Sequence, residues 1–209
     1  MGQTRDIGRR IELVSMDPHF QDISIGLYEQ GNGMPAYLVH TYSGKSGAAD
    51  RIRFLLRVMM VFGGLESDSN GLLRFPCGAR HELAVKRVFL DGCKVAPQTD
   101  ADAHPLRIRD KRSGCDVTAV SMGCGEYGLR IEGNPESGPR RVTAIARGLA
   151  RLGEMQTDER HTNRVSFACG QPHDALVGLL LIRAPNVRAA MREAESMAAR
   201  GVLSAPSAM

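Results

Sequence analysis

The stretch Phe75-Pro76-Cys77-Gly78-Ala79-Arg80-His81-Glu82 returns ninety-two positions later as Phe167-Ala168-Cys169-Gly170-Gln171-Pro172-His173-Asp174. Both copies read Phe-x-Cys-Gly-x-x-His-acid. The agreement continues upstream, at an offset of ninety. Arg51-Ile52 aligns with Arg141-Val142, Leu55 with Ile145, Arg57 with Arg147 and Met59 with Leu149. Phe62 then meets Leu152 and Gly63 meets Gly153, after which a two-residue longer loop in the second copy brings the motifs into line. A matching helix followed by a matching strand and motif predicts an internal tandem duplication. Two units are too few for a solenoid, which needs about three or more repeats. The expectation is a pseudo-twofold pair sharing one core.

Within each unit the hydrophobic pattern supplies the elements. Ile11 to Ser15 is a strand candidate, closed by Asp17-Pro18. Ile23 to Tyr28 alternates as a half-buried strand does. Gly31-Asn32-Gly33 then turns the chain into a second strand, Ala36 to Thr41. From Ala48 to Phe62, Ile52, Leu55, Leu56, Met59 and Phe62 keep a 3.6-residue period, which predicts an amphipathic helix ended by Gly63-Gly64. Leu72 to Phe75 reads as a strand and Glu82 to Leu90 as a helix. The second half repeats this order, with strands at Leu106–Arg109, Val117–Met122 and Gly128–Glu132. A helix follows from Pro139 to Leu152, then a strand at Val165–Ala168 and a short helix from His173 to Ile182. Asn186 is expected to cap a last helix, Val187 to Arg200.

The predicted fold class is α+β, each unit roughly ββαβα, with helices on one face of a mainly antiparallel sheet. The expected division is residues 1–96, a polar linker 97–105, residues 106–200 and a disordered tail 201–209.

Composition narrows the classes. The 209 residues carry five cysteines, an odd number without disulfide-rich spacing. With no apolar leader in Met1 to Arg10, reduced thiols and a cytoplasmic location are expected. No apolar run approaches the roughly 18 residues of a membrane span. A net charge of +4, with Arg far exceeding Lys, is compatible with an acidic partner without indicating one.

Several motifs fail on context. Gly123-Cys124-Gly125-Glu126-Tyr127-Gly128 matches a dinucleotide fingerprint literally, but Leu129-Arg130-Ile131 continues as a strand where a helix is required. It reads as a hairpin turn. Glu66 to Gly71 lacks the ligand pattern of a calcium loop and reads as a polar turn. Ser43-Gly44-Lys45-Ser46 precedes a helix, but Val39 stands where a phosphate loop needs its first Gly. A weaker anion site at that helix N-terminus is the residual expectation.

The duplicated motif is the remaining chemistry. Its plainest reading is packing: a buried Cys at a strand end, a Gly turn, and a His with an acid opening a helix. If the copies meet across the pseudo-twofold axis, Cys77, His81, Cys169 and His173 complete a tetrahedral zinc site. A second functional reading makes Cys77 or Cys169, at the start of a helix beside an imidazole, the nucleophile of a thiol enzyme. A third reading places nucleic acid on the repeated helices, through Arg51, Arg53 and Arg57 with Arg140, Arg141, Arg147 and Arg151. No cluster of strand aromatics offers base stacking, which counts against it. His40 is a candidate acid–base residue whose counterpart in the second half is not a His. The functional expectation is a binding module with its ligand or metal between the repeats.

Overall fold

A computed structural model describes residues 5–12, 23–30, 33–41, 47–95, 106–133, 138–189 and 192. The first half runs β1 (Arg5–Glu12), β2 (Ile23–Glu29), β3 (Pro35–Thr41), α1 (Ala48–Gly63), β4 (Glu66–Ser67), β5 (Leu73–Arg74) and α2 (Glu82–Val95). The second runs β6 (Arg107–Asp110), β7 (Cys115–Gly123), β8 (Glu126–Glu132), α3 (Gly138–Gly153), β9 (Met155–Thr157), β10 (Arg164–Phe167) and α4 (Asp174–Arg183). The class is α+β. Each half has its own five-stranded sheet, ordered β1-β2-β3-β5-β4 and β6-β7-β8-β10-β9, with antiparallel pairing. The unit is therefore βββαββα, fuller than ββαβα. The short β4 and β9 escaped the sequence because two or three residues cannot display a period of two.

Each sheet closes the same way. The last long strand of the meander pairs with the strand that carries the Cys motif, through Tyr37↔Leu73 in one half and Tyr127↔Val165 in the other. That pairing places the motif at the end of a central strand, next to a tyrosine. Helix α1 buries Leu55, Met59 and Phe62 of its expected stripe together with Val58, while Ile52 and Leu56 are only partly buried. Helix α3 buries Val142, Ile145, Leu149 and Leu152. Across the junction the helices exchange partners: α1 packs on α4 and α2 on α3, while α2 and α4 pack on each other. One continuous apolar cluster results, including Leu55 and Val88 from the first half and Ile145 and Leu180 from the second.

The glycine-rich stretch at 123–128 is the β7–β8 hairpin. Gly123 pairs with Glu126, leaving Cys124 and Gly125 as a two-residue turn with φ of 49° and 72°. Positive φ at both centres is the turn whose twist matches antiparallel strands. The polar turn after β4 is held by Asp68, whose Oδ1 accepts the N–H of Asn70 (2.8 Å) and Leu72 (3.0 Å). Helical residues begin at Val187, where the last helix was expected, and Asn186 stands directly before them without a separating loop from α4. Asn186 ends a 3₁₀ turn, Ala184–Asn186, that follows α4 directly and runs on into helical residues 187–189. Pro185 removes one helical N–H, so the chain tightens there instead of stopping. The expected linker, tail and C-terminal part of the last helix lie outside the described residues, as do Leu13 to Ser15 of the first strand candidate.

Candidate metal centre

Each copy of the motif is built by the same local rules. After β5 and β10 the chain turns at Gly78 and Gly170, whose N–H groups donate to Phe75 O (2.9 Å) and Phe167 O (3.0 Å). Both glycines have φ near 68° (69° and 68°), a conformation that a Cβ makes costly by about 1–2 kcal/mol. The turn lifts the Cys off the strand and aims the chain at the next helix. His81 and His173 stand at the entries of α2 and α4. Their carbonyls accept the first helical hydrogen bonds, from Val85 N–H and Val177 N–H, both at 2.9 Å. A residue four positions from the Cys is thereby folded back over it. The Cys77 Sγ to His81 Nε2 distance is 3.3 Å, and Cys169 Sγ to His173 Nε2 is also 3.3 Å.

The two copies meet. The ligand-capable atoms of Cys77, His81, Cys169 and His173 all lie within 4.8 Å of one another. In a tetrahedral zinc site with Zn–S of about 2.3 Å and Zn–N of about 2.0–2.1 Å, neighbouring donors stand roughly 3.3–3.8 Å apart. The two Cys–His edges already match. The longest separation needs to close by about 1 Å for all four donors to reach one ion.

The surroundings hold the imidazoles in place. Tyr37 Oη accepts the backbone N–H of His81 (3.1 Å), and Tyr127 Oη accepts that of His173 (2.7 Å). Tyr127 donates in turn to Asp174 Oδ1 at 2.7 Å. Burial pushes the Tyr37 hydroxyl up to about 12 and raises that of Tyr127 as well, so both are neutral hydrogen-bonding groups at any ordinary pH. Phe75 meets both His rings edge-on, with centroids at 4.8 Å from His81 and 5.4 Å from His173. Phe167 does the same at 5.7 and 4.7 Å. His81 and His173 are only 5% and 6% exposed, whereas the two cysteines are half-buried. Burial lowers the pKa of both histidines, that of His173 to about 4, and so favours the neutral imidazole that a metal requires. Burial raises the Cys77 thiol, with the neighbouring Cys169 adding to the effect.

That last pair of shifts bears on the thiol-enzyme reading. A nucleophilic Cys–His pair needs a lowered thiol pKa beside an imidazolium. Here both shifts run the other way.

The outer parts of the site differ between the halves. A Cβ placed on Gly125 would lie 2.9 Å from Gln171 O, so the tip of the β7–β8 hairpin rests directly on the Cys169 turn. Over the Cys77 turn the neighbour is the side chain of Met34, whose Cε would be 2.8 Å from a Cβ on Gly78. Glu154 is hydrogen-bonded to the Leu83 backbone at the start of α2, a second-half carboxylate capping a first-half helix. Burial raises its pKa.

Of the other sequence candidates, Ser43, Gly44, Lys45 and Ser46 lie outside the described residues. Gly47, the residue before α1, supplies no side-chain cap. His40 shares a hydrogen bond with Tyr28 (2.8 Å) on the neighbouring strand, away from the Cys–His cluster. The arginines of the repeated helices diverge: Arg53 pairs with Asp50 on the surface, while Arg141 is tied to the buried Asp110. Tyr37 and Tyr127 went unnoticed in the sequence. They stand ninety residues apart, the offset that relates the helices, and that coincidence was the available signal.

No protein-family profile, curated protein or solved structure matches this chain.

Proposed function

We propose that Cys77, His81, Cys169 and His173 hold one zinc ion that staples two duplicated units, residues 1–96 and 106–200, into a single binding module. The observation that carries this reading is the convergence of two Cys and two His, a pair from each half, within 4.8 Å. Thiolate and imidazole in equal number suit zinc. Four protein donors leave no open coordination position, so the role is structural, as in closed Cys₂His₂ sites, and not hydrolytic. Two features support the assignment. Burial favours the neutral imidazoles and aromatic contacts fix them, and the tyrosines supply the outer hydrogen bonds that orient such helix entries.

The test is elemental mass spectrometry of untagged protein purified without chelator. About one zinc per chain is expected, falling to background in Cys77→Ala and in Cys169→Ala. A chain that takes up no metal on reconstitution, while remaining folded by circular dichroism, overturns the proposal. The motif would then be strand-end packing.

A further inference from the structure

The second half contains a cleft of about 430 Å³ for which the zinc staple has no use. Its floor is Arg141, on α3. The guanidinium is fixed by Asp110 through Nε to Oδ2 (2.6 Å) and Nη2 to Oδ1 (2.7 Å), and Nη2 also donates to Pro185 O (3.2 Å). One wall is the β6–β7 turn, which brings Arg112. The other is the 3₁₀ turn and the helical residues after it, which bring Asn186, Arg188 and Arg192. Arg188 and Arg192 are one helical turn apart and share a face. A second depression of about 420 Å³ shares Arg112, Pro185 and Asn186 with the first and adds Lys111.

Charge in this place is one-sided. Asp110 is the sole acid lining either depression among the described residues, and Arg141 already occupies it. Arg112, Arg188 and Arg192 have no acidic partner among the described residues. Like charges gathered at a concave surface repel, and that repulsion is relieved when an anion enters.

The cleft also marks where the two halves stop matching. In α2 the chain continues as helix to Val95, whereas α4 breaks at Arg183 into the 3₁₀ turn. That turn lies tight on α3 because position 148 is Gly: a Cβ there would be 2.5 Å from Ala184 O. The equivalent position in the first half is Val58.

We propose that this cleft binds a phosphate-bearing small molecule of about mononucleotide size, its phosphate gripped by Arg112, Arg188 and Arg192. Guanidinium groups are matched to phosphate oxygens by their paired donors. The volume falls in the range of small-ligand pockets, roughly 300–1,000 Å³. A single-stranded nucleic acid is the poorer fit, because it needs an extended track with aromatic platforms and no aromatic side chain lines the cleft.

The experiment is calorimetric titration of the full, metal-loaded chain with inorganic pyrophosphate and with ATP. Binding of both is expected in the micromolar to millimolar range. Arg188→Ala/Arg192→Ala should weaken it about tenfold or more, with an unchanged melting temperature. Arg112→Ala, on a different element, should weaken it too. Arg147→Ala, an exposed arginine of α3 outside the cleft, should leave it unchanged. Absence of binding at millimolar probe overturns the proposal. So does equal weakening by Arg147→Ala, which would mean diffuse charge attraction. Binding of single-stranded RNA that pyrophosphate cannot displace would overturn it as well.

Discussion

Asp91 of α2 and Arg183 of α4 hold the same position in the two halves, and they pair with each other at 3.1 Å. The offset between them is the ninety-two residues that separates Cys77 from Cys169. Corresponding positions thus carry an acid in one half and a base in the other, across the junction where α2 meets α4. Asp91 is buried and also faces Arg87, one helical turn away at 3.8 Å.

Asp91→Ala therefore strips the carboxylate from between two guanidinium groups in a largely dry place. Breaking a buried pair by removing one partner costs about 3–5 kcal/mol. Urea denaturation should show the midpoint falling accordingly. Arg183→Ala should cost less, because its side chain is partly exposed and Arg87 still faces Asp91. Equal losses would contradict this account of the junction.

Metal removal has a stability consequence that can be stated in advance. A ligand bound only by the folded state adds RT ln(1 + [L]/Kd), about 4 kcal/mol when it is present at roughly a thousand times Kd. Chelation should therefore lower the melting temperature of the wild type by several degrees or more. Chelation should not move that of Cys77→Ser/Cys169→Ser, which starts low.

The tyrosine pair allows a finer comparison. Tyr37→Phe leaves His81 N–H without its acceptor, and Tyr127→Phe does the same to His173 while also releasing Asp174. Leaving one buried donor unsatisfied costs about 1–3 kcal/mol. Both variants should weaken zinc retention against a chromogenic chelator, and Tyr127→Phe should weaken it more. Unchanged retention in both would detach the tyrosines from the metal site.

Gly148→Ala should destabilise the chain by about 1–3 kcal/mol, as overpacking does, because the nearest atom is a backbone carbonyl that cannot rotate away. If the cleft binds phosphate, the same variant should also weaken pyrophosphate binding by displacing the 3₁₀ turn. Thermal melts and calorimetry on one preparation measure both effects.

Acid stability should carry the mark of Asp110. Hydrogen bonds from Arg141 and, secondarily, Ser113 hold its carboxyl well below the usual carboxylate range, against the opposing effect of burial. The folded pKa lies below the unfolded value of about 3.9, so the unfolded chain takes up the proton first. The stabilisation is complete above that unfolded value and is lost as pH falls toward the folded one. The urea midpoint should drop steeply below about pH 4 in the wild type and more gently in Asp110→Asn. That variant should already be weaker at neutral pH.

The sequence disclosed the periodic part of this fold well and the non-periodic part poorly. The helices α1, α3 and α4 fall within a residue or two of their expected limits, because Leu55, Met59, Ile145 and Leu149 repeat at the period that burial imposes. Cys77, His81, Cys169 and His173 could be named because identical spacing is visible without a structure. Their meeting was a conditional expectation, since nothing local says that two distant turns share an axis. What stayed hidden was non-periodic: the two-residue strand β4, the 3₁₀ turn at Pro185, the cap that Glu154 gives to α2. Arg112 and Arg188 lie seventy-six positions apart, and no spacing rule connects them.

The Cys77 and Cys169 turns also fix an order of events. Their ninety-two-residue separation in the chain makes the cluster a long-range encounter, and such contacts close late in folding because the intervening loop must be ordered first. Neither turn alone offers more than two donors. If the proposed ion is bound, its full coordination would report that both halves have folded and docked, and a nascent or truncated chain ending before Cys169 would emerge from synthesis unable to give that report.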